Sequence, residues 1–350
     1  MSLLLLLALP HAAAVLPLPV YPECGEEDRE DLCPSDLDQE WWLIGYIPAG
    51  SRETVRPAER EMGSGVAADR AWRITTGRTD VMLAVLDSGF NWANSGYVNK
   101  IALNTDELPL PQLADGSEAP AYDVDGNGFV NVQDYAADAR VTLDAGNDAA
   151  DGMLDASDLI YTFSDGVDDD ANGFVDDIAG WDFFADDNDA YHTFAEDFGE
   201  HGDGVLEDMA AEGGDSDGGD IGVCPNCAVL PLRIGDTFVT DGNRAALGIA
   251  YAVQRGAVGL NMAVGALTNP DTATAAAAWA REQGVSIVGA AGDENAYHHN
   301  FPAMLDGILY VHSIRPNQND ENSGVYSYLN FFNCNNYGPR ITLVADSPDG

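Results

Sequence analysis

Basic residues are the scarce class in this sequence: 15 Lys and Arg stand against 59 Asp and Glu in 350 residues, a formal net charge of −44. A chain this acidic repels nucleic acid and anionic membranes, and its natural counterions are cations. Long apolar runs are missing as well. The run over residues 3–9 is too short, and too broken by Pro10, His11 and Pro17, to span a bilayer. No later stretch has the required length. With Ala12, Ala13 and Ala14 the run has the form of a secretory signal peptide over residues 1–20, although the usual positive n-region is absent. Cysteine is sparse, at five residues: Cys24, Cys33, Cys224, Cys227 and Cys334. Export permits disulfides, and Cys24 and Cys33 are spaced for a local pair. Cys224-Pro-Asn-Cys227 is open to three readings: a zinc half-site, a redox motif or a local bridge. Zinc would need two more ligands at suitable spacing, and none is present, so a structural role is expected.

What is abundant is apolar and acidic. Hydrophobic residues make up 45% of the chain, enough for a substantial core. The acid is concentrated: residues 123–220 hold 29 Asp and Glu and a single basic residue, Arg140. Such a block is ordinarily a solvated face, but here it contains ligand spacings. Residues 21–63 form an acidic, proline-containing segment with Trp41-Trp42-Leu43-Ile44 as a docking element. From residue 64 to 350 the pattern is that of one α/β domain. A short helix is expected over 66–72. An apolar strand over 81–86 runs into Asp87-Ser88-Gly89. Residues 100–195 break the rhythm as an acidic, Gly- and Asn-rich insertion. Strands are then expected over 227–232, 258–264, 285–290 and 307–314, with helices over 244–255 and 271–283 between them. That alternation implies a parallel sheet with helices on both faces. In such sheets ligands bind at the carboxyl ends of strands.

Taken singly, the chemical motifs are common ones. Their order is more informative. Asp87 ends one strand, His201-Gly202 opens an apolar-periodic segment through Val205, Leu206 and Met209, and Ala290-Ala-Gly-Asp-Glu294 ends a later strand. With Val85-Leu-Asp-Ser-Gly89, Gly222-Val-Cys-Pro-Asn226 before Val229-Leu-Pro-Leu-Arg233, Gly259-Leu-Asn-Met262 and His298-His-Asn-Phe-Pro302, the sequence resembles the subtilisin-like serine peptidases over residues 64–345. The family order is Asp, then His, then Ser. The resemblance implies a subtilisin-like α/β fold, with Asp87 orienting the imidazole and His201 as the base.

The departures from the family pattern bear on activity. The family's His-Gly-Thr is His201-Gly-Asp203 here, and Glu207 and Asp208 stand where small or apolar residues let the helix pack. Ala263 replaces a substrate-side serine. Asp293 occupies the oxyanion position, where the family has asparagine. An amide donates hydrogen bonds, whereas an ionised carboxylate only accepts. Losing one such donor costs about 3–4 kcal/mol, a figure taken from this same family. The Gly-Thr-Ser motif would fall just past Gly350. Ser313, Ser323, Ser327 and Ser347 lack its flanking glycine, so the sequence reads as cut before its nucleophile.

The acidic block carries EF-hand spacing. Asp123, Asp125, Asn127, Asn131 and Asp134 stand at loop positions 1, 3, 5, 9 and 12, with Gly128 at position 6. Asp at position 12 resembles dockerin-type loops. A fainter copy follows in Asn147, Asp151, Gly152, Asp155 and Asp158, suggesting an internal duplication. A third loop holds Asp168, Asp170, Asn172, Gly173 and Asp176, with Ala179 at position 12. It precedes Gly180-Trp-Asp-Phe183, where the resemblance implies calcium. The expectation is therefore a secreted, Ca2+-binding, subtilisin-like serine endopeptidase acting on protein or peptide substrates, with no nucleic-acid or membrane partner. Two rivals remain: a catalytically inactive relative that binds peptides or proteins in the same groove, and a scaffold acting through the dockerin-like loops.

Overall fold

The computed structural model describes residues 66–146, 152–192, 200–212, 221–294, 296–314 and 336–346. The signal peptide, the 21–63 segment with its docking element, the Cys24–Cys33 pair, Cys334, and Asn147 and Asp151 of the second loop lie outside these residues. Helix α1 (Ala68–Trp72) precedes strand β1 (Met82–Asp87). The acidic insertion contributes helix α2 (Ala156–Phe163) and the two-residue strand β2 (Trp181–Asp182). Helix α3 (His201–Ala210), strand β3 (Ala228–Arg233), strand β4 (Val239–Thr240), helix α4 (Gly242–Gln254), strand β5 (Gly259–Met262) and strand β6 (Gly265–Ala266) follow. Helix α5 (Asp271–Glu282) and strands β7 (Ser286–Ala290), β8 (Ile308–Ile314) and β9 (Leu343–Asp346) complete the described elements.

Seven strands form one sheet in the order β2-β3-β1-β5-β7-β8-β9, and every pairing in it is parallel. β4 and β6 form a separate parallel pair. Side chains alternate across a strand, and β1 and β3 are covered on both faces. Ala84 and Leu86 of β1, with Leu230 and Leu232 of β3, pack in one apolar cluster with α4 and α5 through Ile249, Ala252, Ala277 and Ala280. Val85 and Val229 point the other way, into a cluster with Trp92, with Leu206 and Ala210 of α3 and with Tyr135, Leu159 and Ile178 of the insertion. The insertion is thus part of the core on that face, although its Leu143, Tyr161 and Val167 stay exposed.

Local chemistry explains the helix ends. The Asp241 side chain accepts from Asn243 N at 2.9 Å and caps α4. The alanine-rich run of α5 follows Pro270 and stops before Gly284, whose φ of +82° suits glycine. Asn131 and Asp134 form a capping box over the turn Val132–Tyr135, and Asp155 and Asp158 form the same box at the start of α2. Asp134 also accepts from Val124 N, and Asp158 from Ala145 N. The described ends of the two copies thus carry the same capping box. β2 and β9 were not expected. β2 is too short to show a period, and β9 exposes Leu343 and Val344; both are defined by pairing. Cys224 and Cys227 close a local disulfide.

Candidate active site

Asp87 is the last residue of β1 and His201 the first of α3. Parallel pairing brings the carboxyl end of β1 under the start of that helix. His201 Nδ1 lies 2.7 Å from Asp87 Oδ1. The same oxygen accepts from Ser88 N at 2.7 Å. Asp87 is fully buried, and its Oδ2 has no hydrogen-bond partner among the described residues. Gly202 N reaches Ser88 Oγ at 3.2 Å, a second link between strand end and helix start. Burial works against a charge on the His201 ring, but the hydrogen bond and charge of Asp87, joined by the charge of Asp293, outweigh it and raise the imidazole above its usual value. Asp293 is exposed on the loop after β7. Its charge reaches the His201 ring from there. The Phe238 ring, on the segment leading into β4, lies 5.8 Å from the His201 ring between centroids, and Phe238 O accepts from Gly265 N of β6 at 2.7 Å.

The acidic loops converge on two points. One carboxylate oxygen from each of Asp123, Asp125 and Asp134 lies within 4.8 Å of the others. Asp123 accepts from Gly126 N and Gly128 N, and Asp125 from Asn127 N and its amide Nδ2. Asn131 points elsewhere: its Oδ1 accepts from Gln133 N and its Nδ2 donates to Asn99 O. The second point joins Asp168, Asp170 and Glu107, again within 4.8 Å. Asn172 stands beside it, its Nδ2 donating to Asp170 Oδ2 at 3.0 Å. Asp176 is in neither group; its two oxygens accept from Asp165 N and Gly166 N. Both groups are oxygen-only donor sets, as a hard cation such as calcium requires.

A family model described as the subtilase family matches residues 78–346. The chain belongs to the subtilase family. Among curated relatives of this subtilase, thermitase of Thermoactinomyces vulgaris is 29% identical over 152 residues, covering 43% of this chain and 52% of thermitase. The halolysin-like extracellular serine protease Nep of Natrialba magadii is 31% identical over 175 residues, covering 50% of this chain and 29% of Nep. The matches therefore span about half of one relative and under a third of the other. Among solved structures, the prenylagaramide maturation protease PagA matches with a TM-score of 0.39 at 14% identity, covering 80% of this chain and 67% of its own. A serine-to-alanine mutant of the protease domain of PatA matches with a TM-score of 0.39 at 17% identity, covering 78% of this chain and 68% of its own.

Several residues that support the site in this subtilase were not foreseen. Arg233 ends β3 in register with Asp87. Its guanidinium, 4% exposed, meets the fully buried Asp182 at 2.7 Å. Its Nε donates to Ser88 O at 3.0 Å, behind the aspartate. The only hint in the sequence was a lone arginine closing an apolar run. Asn336, fully buried, holds the Asp293 loop: its N–H donates to Gly292 O at 2.8 Å, its Nδ2 donates to Ala291 O and Glu294 Oε2, and its Oδ1 accepts from Ala296 N. Asp203 accepts from Asn91 N at 2.7 Å and from Tyr97 OH at 2.6 Å, with His192 Nε2 at 3.1 Å from its other oxygen. The acidic residues of α3 do not disrupt its packing. Leu206 and Ala210 face the sheet, Glu207 accepts from Asn94 Nδ2 at 2.7 Å, and Asp208 is exposed.

Proposed function

We propose that this subtilase is an extracellular serine endopeptidase. His201 is the general base, Asp87 orients it, and the nucleophile is a serine hydroxyl. The single observation that carries the reading is the 2.7 Å contact of His201 Nδ1 with the buried Asp87. With Nδ1–H donated to Asp87, the ring's lone pair is on Nε2, which takes the hydroxyl proton and later returns it to the leaving amine. Asp87, shielded from water, stabilises the imidazolium formed in between. The substrates are proteins or peptides. Calcium is assigned to Asp123, Asp125, Asn127 and Asp134 and to the Asp168–Asn172 loop, with Asn131 and Asp176 shaping the surrounding backbone. Bound there, the ion neutralises clustered carboxylates and stabilises the insertion.

Asp293 favours a second reading, an inactive relative that binds peptides in the same groove, because a carboxylate repels a developing oxyanion. A fluorophosphonate probe applied to the whole protein separates the two. Labelling that His201→Ala abolishes supports the peptidase; folded protein that takes up no probe leaves only the binding role.

A further inference from the structure

The third acidic loop has Ala179 where an EF-hand loop carries its bidentate carboxylate. We propose that Glu107, on the 3-10 turn Thr105–Glu107 far upstream, supplies that ligand. A calcium ion in the 168–172 loop would then clasp the two ends of the intervening segment, residues 108–167. The inference rests on the calcium reading above and adds a ligand from outside the loop.

Glu107 is 4% exposed. Its Oε1 accepts from Asp169 N at 2.9 Å and Asp170 N at 3.0 Å, so the loop backbone grips the carboxylate. Its Oε2 is buried with no hydrogen-bond partner among the described residues. That leaves a buried carboxylate with an unpaired oxygen beside two further carboxylates, Asp168 and Asp170. Such an arrangement is costly unless a cation joins it. Neighbouring groups are committed elsewhere. Asp177 accepts from Tyr251 OH at 2.5 Å, Asn104 Nδ2 at 2.7 Å and Asn172 Nδ2 at 2.9 Å. Arg255 Nη1 lies 3.4 Å from Asp177 Oδ2 and donates to Tyr251 OH at 2.9 Å. Asn104 also donates to Asp170 Oδ2 at 3.1 Å, tying the turn to the loop from its other side.

The test is calcium titration of the whole protein by calorimetry, with melting curves in calcium and in chelator. The variants are Glu107→Gln, which keeps the shape and removes the charge, and the pair Asp123→Asn with Asp125→Asn. Glu107→Gln is expected to weaken one calcium site about tenfold or more while leaving the other. It should also melt no lower than wild type in chelator but lower in calcium, because the neutral amide relieves the repulsion and forfeits the ion. Glu107→Gln with wild-type stoichiometry and affinity overturns the proposal. If calcium uptake then depends only on Asp123 and Asp125, the broader calcium reading survives; no uptake by wild type ends both. Should Glu107→Gln fail to fold, Glu107→Ala is titrated instead, and an unchanged affinity is equally decisive. Probe labelling of the serine is scored separately, so failure of the peptidase reading is distinguishable.

Discussion

Gly202 lies so close beneath the carbonyl of Gly89 that a Cβ added to it would sit 2.2 Å from that oxygen. The contact fixes how near α3 can approach the end of β1, and hence how His201 meets Asp87. Gly202→Ala must push the two apart. A displacement of about 1 Å in such a site costs about 10²-fold in rate. Probe labelling of the whole protein should fall by that order while the variant keeps its circular dichroism. Unchanged labelling would show that the helix start has slack.

Asp87 and His201 also predict a pH dependence. The folded imidazole binds its proton more tightly than the unfolded one, chiefly because the hydrogen bond and charge of Asp87 overcome burial. The stability this contributes is complete below the unfolded value, about 6.5, and is lost as pH rises through the higher folded value. Asp87→Asn should lower the His201 pKa in a proton NMR titration, flatten that part of the stability profile, and slow turnover by about 10⁴-fold. A His201 titration that does not move would contradict the assigned partner.

Asp293→Asn should act in two ways at once. It removes a negative charge that helps raise His201, so the imidazole titrates lower. It also restores an amide donor at the oxyanion position, a change worth about 10²–10³ in acylation rate. If the histidine shifts and the rate does not, Asp293 is not an oxyanion group.

The Arg233–Asp182 pair is buried on both sides, and Arg233 additionally holds the Ser88 carbonyl. Removing one partner strands the other charge. Arg233→Met should cost about 3–5 kcal/mol in urea unfolding. A loss below 1 kcal/mol, about the value of an exposed pair, would mean that the pair is hydrated.

Calcium at the 123–134 loop should raise the melting temperature. An ion at 100 times its dissociation constant contributes about 2.7 kcal/mol. Asp125→Asn should lose part of that gain in differential scanning calorimetry, whereas a calcium-independent transition in wild type would remove the assignment.

Much of this architecture was legible in the linear chain. The buried strands of a parallel sheet are continuous apolar runs, so β1, β3, β5, β7 and β8 lie within a few residues of their expected places. Helices α4 and α5 carry their start and stop signals locally, in Asp241 and Gly284. The carboxyl end of β1 and the first turn of α3 could likewise be named in advance, as Asp87 and His201. The distance between them could not.

What the residues alone determined was local: which segments are strands, which turns bend on glycine, and which oxygens recur at ligand spacing. Tertiary structure decided the rest, because contacts between distant segments leave no period behind. Glu107 meets Asp170 across 63 positions and Arg233 meets Asp182 across 51. Asp176 matches the ligand spacing as well as Asp168 and Asp170 do, yet it joins neither group of converging carboxylates. Spacing specifies which atoms can reach a common centre, and only packing determines which of them are brought to it.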